Sequence, residues 1–116
     1  MITLYGINNC DTVKKAQKWL AKENIKVEFF DFKKQTLTTE LLEQFVQLSS
    51  WDKLINKRST TYRNLSDSIK NNLTDEIAFA TVLASPTLLK RPLLIHDQQL
   101  HLGFKDAQYQ EIFFHE

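Results

Sequence analysis

The first 32 residues alternate strand, helix and strand character, and this alternation constrains the fold more than any other feature of the chain. Ile2-Thr3-Leu4-Tyr5 is extended and β-branched, in a stretch that begins at Met1, and Gly6-Ile7-Asn8-Asn9 has turn chemistry. From Asp11 to Asn24 the apolar residues Val13, Ala16 and Leu20 share one helical face, while Lys14, Lys15, Lys18 and Lys22 gather mostly on the other. Asn24 is a stop signal. Val27-Glu28-Phe29-Phe30-Asp31-Phe32 then reads as a second strand. Strand, helix and strand in so short a span predict a βαβ unit with parallel strands and a right-handed crossover.

From Thr38 to Leu83 nearly everything reads as helix. Thr38 or Thr39 caps a segment carrying Leu41, Leu42, Phe45, Val46 and Leu48. Trp51-Asp52-Lys53-Leu54-Ile55 reads as a short helical turn. Asn64 to Leu73 and Asp75 to Ala84 read as two further helices, the second capped by Thr74 with Asp75 and Glu76 opposing the dipole. Ser85-Pro86 opens a short turn through Leu88. Strand character returns in Pro92-Leu93-Leu94-Ile95, and Gln99-Leu100-His101-Leu102 alternates like its hairpin partner. A last helix is expected from Lys105 to His115, offering Ala107, Tyr109, Ile112 and Phe113 to the core. The order β-α-β, helical block, β-β-α predicts an α/β, thioredoxin-like fold: a four-stranded mixed sheet flanked by the first and last helices. The expected division is a thioredoxin-like part at 1–36 and 86–116, with a helical insertion at 37–85.

The 116 residues suffice for one domain with a real core. The formal charge is +1 with no basic block, so no nucleic-acid partner is implied. No apolar run has the length of a membrane span. The N-terminus enters a strand with no basic n-region before an apolar stretch, so no signal peptide is expected. A lone cysteine forms no internal disulfide, and together these features predict a reducing, cytoplasmic location.

That cysteine, Cys10, falls where the first strand ends and the first helix begins. A thiol there feels the positive end of the helix dipole and the unpaired N–H groups of the first turn, a placement that favours the thiolate. Most free cysteines are buried small hydrophobes. Cys10 instead lies in Asn8-Asn9-Cys10-Asp11-Thr12, the most polar stretch of the first thirty residues. Three residues on, where a resolving cysteine would stand, is Val13. Oxidation of Cys10 therefore ends in a sulfenic acid or in a mixed disulfide with an outside thiol, of which glutathione is the obvious cytoplasmic choice.

Arg91-Pro92 is the second signal. A thioredoxin-type fold places a cis-proline just before its third strand, opposite the thiol. Pro92 opens the expected third strand, where a proline costs no ladder bond. Arg91 beside it offers a fork of donors to a thiolate, a carboxylate or an oxyanion. Lys14, one turn past Cys10, adds positive charge near the thiol or is simply solvated. Arg58 lies in the polar stretch Asn56-Lys57-Arg58-Ser59-Thr60 between helices. His96, His101 and His115 have no metal-ligand spacing with each other or with Cys10, so no metal site is expected. Gly6 and Gly103 form no phosphate-binding loop. Trp19, Trp51 and the phenylalanines are accounted for as core.

Leu4-Tyr5-Gly6-Ile7-Asn8-Asn9-Cys10-Asp11-Thr12-Val13-Lys14-Lys15-Ala16 with Trp19-Leu20, the Lys57-Arg58 loop, Lys90-Arg91-Pro92-Leu93-Leu94 and Leu102-Gly103-Phe104 together resemble the arsenate-reductase-related ArsC/Spx family, and within it the small YffB branch. The resemblance spans essentially the whole chain. It implies a thioredoxin-like fold with a helical insertion and a nucleophilic cysteine at Cys10. It implies further that Arg58 and Arg91, with Thr12, Lys14 and Pro92, form the site for a substrate or anion. The third arginine of the true arsenate reductases falls at Gly103-Phe104-Lys105 and is absent or replaced by Lys105. An asparagine that precedes their cysteine falls at Ile7. The expected protein is a monomeric, cytoplasmic thiol oxidoreductase. It holds no bound cofactor, takes glutathione or a small oxyanion, and uses glutathione as co-substrate with glutaredoxin as a possible partner. The alternatives are arsenate reduction, or a non-catalytic regulator that binds RNA polymerase as Spx does.

Overall fold

The computed structural model describes residues 2–114. In chain order the elements are β1 (Thr3–Gly6), α1 (Asp11–Lys22), β2 (Glu28–Asp31), α2 (Thr39–Leu48), α3 (Trp51–Leu54), α4 (Thr60–Arg63), α5 (Asp67–Lys70), α6 (Asp75–Ala84), β3 (Leu93–His96), β4 (Gln99–Leu102) and α7 (Asp106–Phe114). A 3-10 turn at Pro86–Leu88 precedes β3. The parts of the first strand and last helix expected at Met1 and His115 lie outside the described residues. The chain forms two compact units. One takes the residues up to Gln35 and from Arg91 onward, and the other is Thr36–Lys90.

The first unit is the α/β, thioredoxin-like part. Its sheet has the order β2-β1-β3-β4, with β1 parallel to β2 and antiparallel to β3, and β3 antiparallel to β4. The hairpin turns through Asp97 and Gln98 at φ 52° and 61°. Positive φ at both central residues is the requirement of a two-residue type I′ turn, whose twist matches the strands it joins. Successive strand residues face opposite ways. Leu4 and Leu94 therefore turn to one face, where they pack with Ala16, Trp19 and Leu20 of α1 and Tyr109 of α7. Tyr5 turns to the other face and meets Phe30 and Phe32 at ring centroids 5.4 and 6.5 Å away. The indole Nε1 of Trp19 donates to Asp106 Oδ1 at 2.8 Å, tying α1 to the first turn of α7. α1 ends with Asn24 at φ 59°, where the Ile25 N–H reaches back to the Leu20 carbonyl.

Three expectations need correction in and around these elements. The third strand begins at Leu93, one residue later than expected, and Pro92 stands just before it. Ala107 is exposed rather than core. Tyr109, Ile112 and Phe113 point inward at helical spacing, and a residue two positions from Tyr109 faces nearly the opposite way. The phenylalanines are not uniformly core: Phe45 is fully buried, whereas Phe114 is 46% exposed.

The second unit is helical, with Leu42, Phe45, Leu54, Ile55, Ala78, Val82, Leu88 and Leu89 buried. Its C-terminal end is stitched to the end of α3 and the segment after it by backbone bonds from Asn56 to Leu88 and from Lys90 to Leu54, each 2.8 Å. The helix expected from Asn64 to Leu73 is instead the single turn α5, and α4 is a separate turn that stands before that span. Serines set where each begins. The hydroxyls of Ser59 and Ser66 cap fresh N-termini by accepting from the N–H groups of Tyr62 and Ile69. Among the described residues no helix is long and apolar enough to cross a membrane.

Candidate active site

Cys10 is the N-cap of α1, with φ −92° and ψ 125°. Its N–H closes a turn onto the Ile7 carbonyl at 3.3 Å, and its own carbonyl accepts from the Lys14 N–H at 2.9 Å. The strand can turn this tightly into the helix because Gly6 has no Cβ. One built there would stand 2.7 Å from Cγ2 of Val13, which is fully buried in the first turn of α1. Position 13, where a second thiol would stand, is thus a packing residue.

The capping of α1 sets it apart from α2 to α6. Each of those five begins at a serine or threonine (Thr38, Ser50, Ser59, Ser66, Thr74) whose hydroxyl accepts from the N–H three residues on. Cys10 makes no side-chain cap hydrogen bond. The half-buried thiol takes the place of a capping oxygen, and no side chain at that position satisfies the first-turn donors. Thr12 is half-buried in that turn, and Lys14 is exposed on it.

Arg91 and Pro92 come to the same edge of the sheet. Tyr5 pairs with Leu93, so the next antiparallel step sets Pro92 across from Gly6, the residue that opens the Cys10 turn. The Arg91–Pro92 peptide bond is cis. Pro92 is buried and its carbonyl accepts from the Gly103 N–H at 2.8 Å, while Arg91 is half-buried. Lys105 follows β4 at this edge, exposed, its N–H bonded to Gln108 Oε1 at 3.1 Å. Arg58 belongs to the helical unit, exposed in the loop between α3 and α4. There its N–H donates to Asn56 Oδ1 at 3.0 Å and its carbonyl accepts from the Arg63 guanidinium at 2.8 Å.

One residue of this edge was missed in the sequence. Asp31 ends β2 opposite Gly6 and is only 6% exposed, the one buried charged side chain among the described residues. Its Oδ1 accepts from the Lys33 N–H at 2.9 Å, its N–H donates to Gln35 Oε1 at 3.4 Å, and the next residue, Phe32, donates to the Gly6 carbonyl at 2.8 Å. Asp31 lines a cleft of about 380 Å³ with Asn8, Phe29, Lys34 and Gln35. The available signal was an acid set inside the aromatic run Phe29-Phe30-Asp31-Phe32, where burial of a charge needs a reason.

Comparison with known proteins places this geometry among relatives. The ArsC family model matches residues 5–112. An uncharacterized protein of Haemophilus influenzae is 46% identical over 113 residues, covering 97% of this chain and 99% of that one. The global transcriptional regulator Spx of Lactiplantibacillus plantarum is 28% identical over 110 residues, covering 93% and 83%. The solved structure of the YFFB protein superimposes with a TM-score of 0.88 at 34% identity, covering 94% of this chain and 96% of that one.

Proposed function

The chain belongs to the ArsC family, and from that premise we propose that it is a cytoplasmic thiol oxidoreductase that works through Cys10 alone and uses glutathione as co-substrate. The observation that carries this reading is the replacement of a capping oxygen by the Cys10 sulfur at the N-terminus of α1. The thiolate attacks one sulfur of a disulfide. The Cys10 Sγ–S bond forms, the substrate S–S bond breaks, and the departing thiolate takes up a proton. With Val13 in the resolving position, a second glutathione, or glutaredoxin, must attack the mixed disulfide to restore Cys10. Arg91 supplies a bidentate clamp for a carboxylate, and Pro92 shapes the docking face. Thr12 and Lys14 border the anion, while Arg58 rests on the family resemblance alone. Arsenate reduction has less support, because Lys105 stands where a third oxyanion arginine is expected.

The test is mass spectrometry of the purified protein after incubation with oxidised glutathione. One glutathione adduct is expected, and none in Cys10→Ser. An unmodified wild-type protein would remove the reading. The similarity to Spx favours a second one, a non-catalytic transcription regulator. Stoichiometric recovery of RNA polymerase subunits from native extract, unchanged by Cys10→Ser, would favour it over the enzyme.

A further inference from the structure

Burying a carboxylate is costly unless it is paired. Asp31, at 6% exposure, makes no ion pair among the described residues, and its one side-chain hydrogen bond, from the Lys33 N–H, occupies Oδ1 alone. The cleft it lines is lined as well by Lys34, Asn8, Gln35 and Phe29. One buried anion, one exposed cation, two amides and an apolar wall are therefore gathered around a single opening. Gln35 is held against the strand end by its bond from the Asp31 N–H, and the cleft reaches the Cys10 turn through Asn8, two residues before the thiol.

We propose that this cleft binds the zwitterionic α-amino-carboxylate head of an amino acid or peptide, with its ammonium on Asp31 and its carboxylate on Lys34 and the neighbouring amides. Residues of opposite charge on one cleft match such a head, and charge-assisted bonds give the recognition its strength. The inference rests on the thiol reading only in assigning the substrate class: a disulfide whose sulfur reaches Cys10 while a free amino-acid head, as at the γ-glutamyl end of glutathione, lies in the cleft. The ligand's other carboxylate is then left for Arg91.

Calorimetric titration of the Cys10→Ser protein tests the cleft without any thiol chemistry. S-Methylglutathione is expected to bind, and its N-acetyl derivative, which lacks the ammonium, to bind about tenfold more weakly or worse. Asp31→Asn keeps an acceptor for the Lys33 N–H and is expected to abolish that discrimination. Lys34→Ala, at an exposed position that leaves the fold untouched, is expected to weaken S-methylglutathione about tenfold. Free glutamate and S-methylcysteine, as separate titrants, distinguish a free amino acid from a peptide as the source of the head. Equal binding of the acetylated and free ligands, no binding of either, or an unchanged affinity in Lys34→Ala would each overturn the proposal. A wild-type protein that forms the glutathione adduct at Cys10 but fails these titrations would lose the cleft and keep the thiol function. One that binds the head yet forms no adduct would lose the thiol function and keep the cleft.

Discussion

Gly6 and Val13 meet so closely that a methyl group on Gly6 would stand 2.7 Å from Val13 Cγ2 and 3.4 Å from Cγ1. Val13 is β-branched, stiff at χ1 and fully buried, so it has little room to give. Gly6→Ala is expected to cost about 1–3 kcal/mol, as overpacking of a filled site does. Combining it with Val13→Ala should recover part of the loss, because the two changes share one contact. Urea unfolding of the single and double variants checks both statements. Because the same contact seats the first turn of α1, Gly6→Ala should also slow alkylation of Cys10.

Tyr109 is fully buried, and its hydroxyl has no hydrogen-bond partner among the described residues. Burial pushes its phenol well above the ordinary value of 10, so the proton stays on through the alkaline range. The ring is held by edge contacts with Phe104 at 4.7 Å and Trp19 at 5.6 Å, none of which needs the oxygen. Tyr109→Phe should therefore raise stability by about 1 kcal/mol, the lower end of the cost of an unsatisfied buried polar group. A fall in the thermal midpoint would show that the hydroxyl has a partner in solution.

His101 has its pKa lowered from 6.5, first by burial and then by the charge of His96 on the neighbouring strand. His96 itself lies 3.6 Å from the Asp97 carboxylate and meets the Phe113 ring of α7 in a tilted contact with centroids 5.0 Å apart, and Glu111 of α7 lines the same surface cleft. Below pH 6.5 the unfolded chain binds more protons at His101 than the folded one. Stability is thus fully present above 6.5 and is lost as pH falls toward the lowered value. His101→Gln is expected to flatten that acid slope, as read from denaturant midpoints at a series of pH values from neutral downward.

Arg91 is expected to place the incoming glutathione. Arg91→Ala should slow glutathionylation of Cys10 and weaken non-covalent glutathione binding to the Cys10→Ser protein, by about tenfold if one charge-assisted pair is lost. Arg91→Lys should return the charge but only part of the affinity, because an ammonium does not reproduce the guanidinium fork. Equal affinities with and without the arginine would remove Arg91 from the site.

The parts of the fold that were legible before the structure are those whose pattern is local. The 3.6-residue spacing of Val13, Ala16 and Leu20 and the alternation of Gln99 to Leu102 each declare one element and its buried face. The position of Cys10 followed from two such elements meeting. The helical unit was less legible because its short helices depend on competition between backbone and hydroxyl caps. Ser66 can sit within a helix or start one, and only packing decides. Asp31 escaped for a different reason. Its burial depends on how the ends of β1 and β2 register, a long-range fact that neither neighbour in the chain reveals. Ala107 leaves the inward set of α7 because it stands two positions from the buried Tyr109 and so turns nearly the opposite way.

Thr3 has two strand neighbours, Glu28 on one side and Ile95 on the other. Measured along a growing polypeptide, these partners arrive at very different times. While the chain is being synthesised, β2 emerges soon after β1, but the strand that covers β1's second edge follows only about ninety residues after it. During that interval the nascent βαβ segment carries an open row of backbone donors and acceptors on what becomes an interior strand, the kind of edge that recruits other chains. The β3–β4 hairpin, closed by its own two-residue turn, covers that edge through β3 and completes the sheet.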